Sequence, residues 1–438
     1  MKEFPRVLVV CEASLWRESN TAAVAFGSLF RGWPSDRLRQ VYGEEDQEDG
    51  LDKNGNWCIK LDSVPGHRLV RRLLSRSLSR GGVRIGAGIP PGMGPGQATA
   101  TCGGLSLAVA RAWADLIPYR ISPELWSWLF DLAPELIFSP LGSIRWITLV
   151  KQLATRLHVP VIPFFCDDWP MAFYRFSRLV WLPRAALRRR LLSALQDAPI
   201  ILCGSDAMAR EYEERYRVQG LGFMRCVPTT PHLPAPACRK ARPLRLLYVG
   251  GLHLQRWQVL QRLGDALGRL REEGVEATLS IYAPERDVAN WKGKLDRAGL
   301  VDVEGTLTAA AVPAALAQAD VLVHVESFDE DMSSFTRLSL STKLPEYMAT
   351  GRPLLAIGPP GISSIEYIRE RGAGLVVDNE ASETIAMAVR RLANEPGLRE
   401  ALGHAGWETS CLRHDSYRER ERFLTVLACA ARGEAGRS

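Results

Sequence analysis

The sequence predicts an α/β protein built from two doubly wound domains, each a parallel sheet wrapped by helices. Three observations lead there. The chain has 438 residues, too many for one ordinary core and suited to two domains of about 200 residues each. Short, β-branched apolar runs alternate with longer stretches of 3.6-residue periodicity from end to end, the pattern of buried parallel strands separated by crossover helices. Between the halves, "PTTPHLPAPACRKARP" at 228–243 holds five prolines and three basic residues, which suits an extended linker.

In the first half, strands are expected at 6–10 ("RVLVV"), 136–140, 159–165 and 199–203, with helices over 143–158 and 206–218. In the second half, strands at 244–250, 277–283, 320–325, 352–358 and 373–378 alternate with helices near 257–273, 311–318, 342–350 and 381–394. A last helix is expected near 416–430. The reading divides the chain into a first domain over 1–232, a second over 244–410 and a C-terminal segment 411–438. Two stretches break the rhythm. "GEEDQEDG" (43–50) reads as an acidic surface loop, and the glycine- and proline-rich 80–104 reads as a flexible one. Open sheets of this kind bind ligands beyond the carboxyl ends of their strands, so two such domains facing each other are expected to form a cleft.

Composition narrows the function classes. A hydrophobic content of 46% with 24% charged residues is that of a globular protein and excludes global disorder. The net charge of +6 favours anionic partners only mildly. The arginines are not interleaved with aromatics along one face, so no nucleic acid is expected. Nine cysteines occur singly, without a C-x-x-C pair, as in a reduced cytoplasmic protein without a disulfide framework or a thiolate metal site. "MKEFPRVLVVCEAS" lacks the features of a signal peptide, and no uninterrupted apolar run reaches the ~18 residues of a membrane span. One segment points to a membrane surface. "HRLVRRLLSRSLSR" (67–80) carries five arginines and no acid, and Leu69, Val70, Leu73, Leu74 and Leu78 share one helical face. It reads as a basic amphipathic helix lying on the inner face of an anionic membrane, or else as a domain helix with its polar side in water.

The stretch "STKLPEYMATGRPLLAIGPP" (341–360) carries the strongest chemical signal. Ser341 and Thr342 are suited to N-capping, Pro345 to a first helical turn, and Gly351 to ending the helix before Pro353 enters a strand. A helix start at the strand ends attracts anions, and Lys343 adds a full positive charge there. Glu346 is a poor phosphate ligand but a good acceptor for two ribose hydroxyls. The combination suits a nucleoside diphosphate carrying a sugar. The alternative is an ordinary capped helix with a solvated lysine.

Taken together, "STKLPEYMATGRPLLA", "LLYVGGL" (246–252), "FFCDDWP" (164–170), "CGSDAMAREYEERY" (203–216) and "SNTAAVAFGSLFRGWP" (19–34) resemble the GT-B glycosyltransferases of the family 4 type, above all bacterial ones that build surface polysaccharides and other glycoconjugates. The resemblance spans both halves, leaving out 80–104 and the far C-terminus. It implies the GT-B architecture, two Rossmann-like domains facing across a cleft. The first would bind a hydroxyl acceptor, lipid-linked acceptors included, and the second a UDP- or GDP-type sugar donor, with 411–438 crossing back to the first. Lys343 would face the diphosphate and Glu346 the ribose. Gly250 and Gly251 would let the backbone approach the donor, and Arg256 would be a second diphosphate cation unless it is a plain surface arginine. Transfer with retention of anomeric configuration and without a metal ion is what the resemblance implies.

One position departs from the family pattern. The usual E-x7-E pair would have Glu346 as its second member, and Leu338 stands where the first should be. Glu326, Asp329, Glu330 and Asp331, in what reads as a long acidic loop, are candidates to reach the sugar instead, or form a solvated lid. On the acceptor side, Asp167 and Asp168 end the strand of "VIPFFCDDWP" (161–170), where one carboxylate could orient or deprotonate the acceptor hydroxyl. Asp168 also suits the cap of a helix beginning at Pro170, which favours Asp167 for chemistry. Gly142 and Ser143, and Ser19 and Asn20, begin helices placed for phosphate or acceptor contacts. The rival readings are a sugar-nucleotide epimerase of the same fold and a non-catalytic scaffold subunit.

Overall fold

The structure, a computed structural model, describes residues 3–15, 21–44, 50–60, 102–175, 177–230, 232–233 and 243–434. Ser19, Asn20, the amphipathic segment 67–80, nearly all of 80–104 and most of the proline-rich 228–243 lie outside these residues. Two compact units are present, Met1–Arg225 together with Arg418–Ser438, and Cys226–Tyr417. The first unit gives way to the second a few residues earlier than the proline-rich stretch suggests.

Unit 1 is organised by a sheet of eight strands: β1 (Val7–Cys11), β2 (Leu38–Glu44), β3 (Gly50–Leu51), β4 (Trp57–Lys60), β5 (Leu136–Ser139), β6 (Val161–Phe165), β7 (Ile201–Cys203) and β8 (Gly220–Gly222). Their order is β3-β4-β2-β1-β5-β6-β7-β8. All neighbours are parallel except β3 with β4. The order reverses direction between β1 and β5. β1, β5, β6 and β7 are buried along their whole length, which is why they read as continuous apolar runs. β2 reaches Glu44 and β3 begins at Gly50, so 43–50 is not wholly loop as expected.

The last helix, Ser416–Ala431, completes this unit's core. Of the C-terminal segment expected to begin at 411, the residues through Arg413 instead end the preceding helix, Pro396–Arg413. Phe423 is fully buried and meets Phe30, Phe138 and Phe223 at ring-centroid distances of 5.0, 6.0 and 5.5 Å. Such edge-on aromatic contacts add to the area they bury.

Unit 2 contains β9 (Leu244–Val249), β10 (Ala277–Tyr282), β11 (Val301–Glu304), β12 (Val321–Val325), β13 (Leu354–Ile357) and β14 (Gly374–Val377). The order is β11-β10-β9-β12-β13-β14, all parallel. This is the doubly wound Rossmann arrangement, with its reversal between β9 and β12, where such folds bind ligands. Helices Arg256–Glu272 and Ser382–Asn394 pack on one another and seal one apolar layer with the strands. The helix Leu344–Ala349 packs on Pro396–Arg413, where Gly403 lies so close to the Gly351 carbonyl that no side chain fits.

Candidate active site

In unit 2 the carboxyl ends of β9 and β12 deliver the chemistry. β9 runs into Gly250 and Gly251, and β12 into Glu326. The side chain of Lys343 reaches into the same place from the mouth of the helix Leu344–Ala349. A Cβ on Gly250 would collide with the Lys343 ammonium and lie 3.0 Å from the Tyr248 hydroxyl. Glycine at 250 therefore leaves the notch that the ammonium occupies, over the Tyr248 ring at 5.3 Å from its centroid. Gly251 likewise leaves room for the His253 ring. The loop is pinned from both sides: Tyr248 donates to the Gly251 carbonyl at 2.7 Å, and Leu252 N–H donates to Asp287 Oδ2 at 2.6 Å. Leu254 and Gln255 both hold positive φ, 56° and 59°, a left-handed conformation that costs such residues energy and gathers at ligand sites.

Burial pushes the Lys343 pKa down to about 7, and the nearby Arg256 charge pushes the same way against Glu326, Glu346 and Asp287. Next to it, Arg256 Nη2 donates to both Glu326 oxygens at 3.2 and 3.0 Å, and His324 Nε2 lies 3.3 Å from Oε1. Glu326 is 2% exposed. Its burial favours the neutral acid, but Arg256 and His324 outweigh that and hold its pKa at about 2. Burial also lowers the His324 pKa, Glu326 opposing.

Several expectations change here. Arg256 is neither a surface residue nor turned solely outward, since its guanidinium is committed to Glu326. Glu326 is likewise not a solvated lid residue. The loop expected over 324–340 contains the helix Glu330–Thr336, capped by Asp329, whose Oδ1 accepts from Met332 N–H at 3.1 Å. Leu338, where the family pattern has glutamate, is buried. Ser341 and Thr342 do not cap the next helix: Lys343 is its N-cap residue, with no side-chain cap bond. The helix has only six residues, so the ammonium, rather than a long helix dipole, supplies the positive charge there. Glu346 stands in its first turn, half-buried between Leu344, Pro345, Tyr347 and Met348, which are all buried.

In unit 1 a second cluster forms at the reversal between β1 and β5. Glu12 follows β1, and its carboxyl tip presses on Gly142, so a Cβ there would sit 2.8 Å from Oε1. Leu141 and Gly142 both have positive φ, 60° and 36°. Glu12 is exposed as a residue. Even so, burial of its carboxyl end and the charge of Asp115 push its pKa up to about 7, against Arg145. Asp115 accepts from Ser143 Oγ at 2.9 Å, Ile144 N–H at 2.9 Å and the Tyr174 hydroxyl at 2.5 Å. The helix mouth at Gly142 and Ser143 thus already holds a carboxylate. Like-charge repulsion makes it a poor seat for phosphate, contrary to one expectation, while a neutral hydroxyl is compatible with it.

Asp168 does not cap the helix Trp169–Ala172 with its side chain. It is 6% exposed, accepts from Tyr212 Oη at 2.8 Å and is gripped by Arg215 at 2.9 and 3.2 Å. Asp167 is half-buried beside it at the end of β6. Asp168→Ala should destabilise the protein by about 2 kcal/mol, because the buried Tyr212 hydroxyl would lose this acceptor and Arg215 would lose its buried partner while keeping Glu211. A urea midpoint that barely moves would disprove this structural role. Among the described residues no group of His, Cys, Asp or Glu is arranged to hold a metal ion.

The sequence signals for Gly250, Lys343 and Glu346 lead to one neighbourhood. The roles of Tyr248, Asp287 and His324, and the Glu12–Asp115–Tyr174 cluster, were missed in the sequence, where no motif marks them.

Gly250→Ala tests the notch. The flexible tip of Lys343 must move and the Tyr248 hydroxyl give by a few tenths of an ångström, so the melting temperature should stay within about 4 °C. If the notch holds the diphosphate expected from the sequence, its affinity should nevertheless fall about 30-fold as the ammonium is evicted. Unchanged affinity by calorimetry would show that the notch is irrelevant to binding.

Residues 243–395 match the family described as "Glycosyl transferases group 1". No curated protein matches the chain. Among solved structures, sucrose-phosphate synthase from Thermosynechococcus elongatus is similar at 12% identity and a TM-score of 0.62, over 96% of this chain and 98% of that one. Anabaena HepE, solved with UDP and glucose, has 12% identity and a TM-score of 0.59, over 97% and 99%. An α,α-trehalose 6-phosphate synthase from Burkholderia multivorans has 13% identity and a TM-score of 0.59, over 98% of each chain. Likeness at this level of identity establishes the fold. The protein has the GT-B fold of two Rossmann-like domains, with a stretch matching the group 1 glycosyl transferases in its second unit.

Proposed function

We propose that this protein transfers a sugar from a nucleoside diphosphate to a hydroxyl acceptor, as a family 4 type glycosyltransferase in bacterial glycan or glycoconjugate synthesis. The observation that carries the reading is the Lys343 ammonium, at the tip of a half-buried side chain and seated in the Gly250 notch at the point where the unit 2 sheet reverses. A cation held there at an energetic cost is suited to a dianionic partner, and the match over residues 243–395 supports a sugar donor.

In this reading Lys343 meets the diphosphate and offsets the charge that grows on it as the glycosidic bond breaks, so no metal ion is required for that task. Glu346 accepts from the ribose hydroxyls. Arg256 contributes to the same field while anchored by Glu326, and the Gly250–Gly251 backbone leaves space for the donor. Retention of configuration follows the family resemblance. On the acceptor side, Asp167, or Glu12 with Asp115, offers carboxylate oxygens to an incoming hydroxyl.

The test is a thermal-shift screen of UDP, GDP, ADP and TDP, followed by mass spectrometry of the matching sugar donors with hydroxyl acceptors. Stabilisation by one diphosphate and an acceptor-dependent glycoside are expected. No stabilisation by any of them would overturn the reading in favour of a scaffold. An epimerised donor formed without acceptor would overturn it in favour of an epimerase.

A further inference from the structure

We propose that unit 1 docks on an anionic lipid bilayer through the outward face of residues 178–189. The short turn Arg178–Val180 leads into the helix Trp181–Gln196. That helix buries Pro183, Leu187, Leu191, Ala194 and Leu195 along one stripe. At about 100° per residue, Leu182 and Arg189 fall opposite that stripe and Trp181 and Arg188 at its edge, and all four are exposed.

What that side presents is unusual for a face in water. Trp181 is 67% exposed, Leu179 64% and Leu182 38%. Arg178, Arg184, Arg188 and Arg189 are exposed around them, and 177–196 contains no aspartate or glutamate. A solvated helix of this length ordinarily interleaves both signs of charge. The apolar tip is also braced, since the Trp113 indole N–H donates to the Leu179 carbonyl at 3.0 Å.

Large apolar side chains ringed by arginines match the boundary between headgroups and acyl chains. Trp and Leu enter that boundary, while guanidinium groups stay at the level of the lipid phosphates and pair with them. A second copy of the chain fits less well. A two-fold contact through this face would set its arginines against the same arginines, with no carboxylate in 177–196 to separate them.

The experiment is co-sedimentation of the full chain with phosphatidylcholine vesicles, with or without about 30% phosphatidylglycerol. Binding to the anionic vesicles is expected, at least ~10-fold stronger than to neutral ones. Leu179→Glu/Trp181→Glu should reduce it by at least ~10-fold. Arg188→Gln/Arg189→Gln should weaken it several-fold and flatten its salt dependence. Melting temperatures of the variants serve as the folding control, and the residues are exposed enough for both pairs to fold. Failure of the wild type to bind anionic vesicles would overturn the proposal, as would wild-type binding by the folded Leu179→Glu/Trp181→Glu variant. So would vesicle-free sedimentation showing a dimer that the same variant dissolves, because the face would then join two copies.

Discussion

Lys343→Met should reduce nucleoside diphosphate affinity and sugar transfer by at least ~100-fold while leaving the ligand-free protein as stable as the wild type or more so. The two effects share one cause. Burial, reinforced by Arg256, disfavours the ammonium and sets its pKa at about 7. The folded value thus lies below that of the unfolded chain. Below pH 7 both states are protonated and the cost of burying the charge is fully present. As pH rises from 7 towards the unfolded value, the unfolded chain holds the extra proton, so stability increases over that window. A methionine in its place carries no such cost, and the advantage of the variant should shrink as pH rises.

A bound diphosphate reverses the preference by restoring the charge. Binding then takes up a proton above pH 7, and the dissociation constant should rise by up to about tenfold per pH unit until the pKa of the complex is reached. Calorimetry in buffers of different ionisation enthalpy measures the proton directly. Affinity independent of pH between 7 and 9, or an unimpaired Lys343→Met, would show that the anion binds elsewhere.

Glu346→Ala should also lower transfer by at least ~100-fold, through loss of two charge-assisted hydrogen bonds to the ribose. Its position is held tightly. Tyr347 Oη accepts from Val249 N–H at 3.0 Å and donates to the Val249 carbonyl at 3.1 Å, fixing the helix against the end of β9. From the other side, Ser410 Oγ donates to the Pro345 carbonyl at 3.4 Å. A carboxylate mounted this way loses little entropy when it binds. Wild type should therefore prefer a ribonucleoside diphosphate to its deoxy analogue, and Glu346→Ala should show no such preference. Undiminished discrimination by the variant would remove Glu346 from the ribose.

The parts of this fold that could be read from the sequence are those where burial dictates residue type. β1, β5 and β13 are covered on both faces and so are written in unbroken apolar runs. β2 escaped notice because the core accepts a polar side chain there. Gln40 is 1% exposed, its side chain accepting from Leu15 N–H at 2.8 Å and its own N–H donating to Asn56 Oδ1 at 3.1 Å. β11 escaped because it is short and its residues alternate between buried and exposed. The helix Glu330–Thr336 was concealed by its acidic first turn, which resembles a solvated loop.

The site divides along similar lines. Gly250 and Lys343 announce themselves by residue type next to a strand end. The Arg256–Glu326 pair joins residues 70 apart, and the Tyr174–Asp115 bond joins residues 59 apart. Such constellations come from the winding of the sheet, and no local spacing encodes them.

Because the closing helix returns to the first unit, the second is threaded into the first as an insert, with Val227 N–H bonded to the His414 carbonyl at 2.8 Å where chain enters and leaves it. On the ribosome this inverts the usual sequence of events. Residues 226–417 emerge complete while the earlier unit still lacks Phe423 and Leu427, both fully buried in the finished protein. The amino-terminal half must wait, its aromatic centre unfilled, until the closing helix has followed.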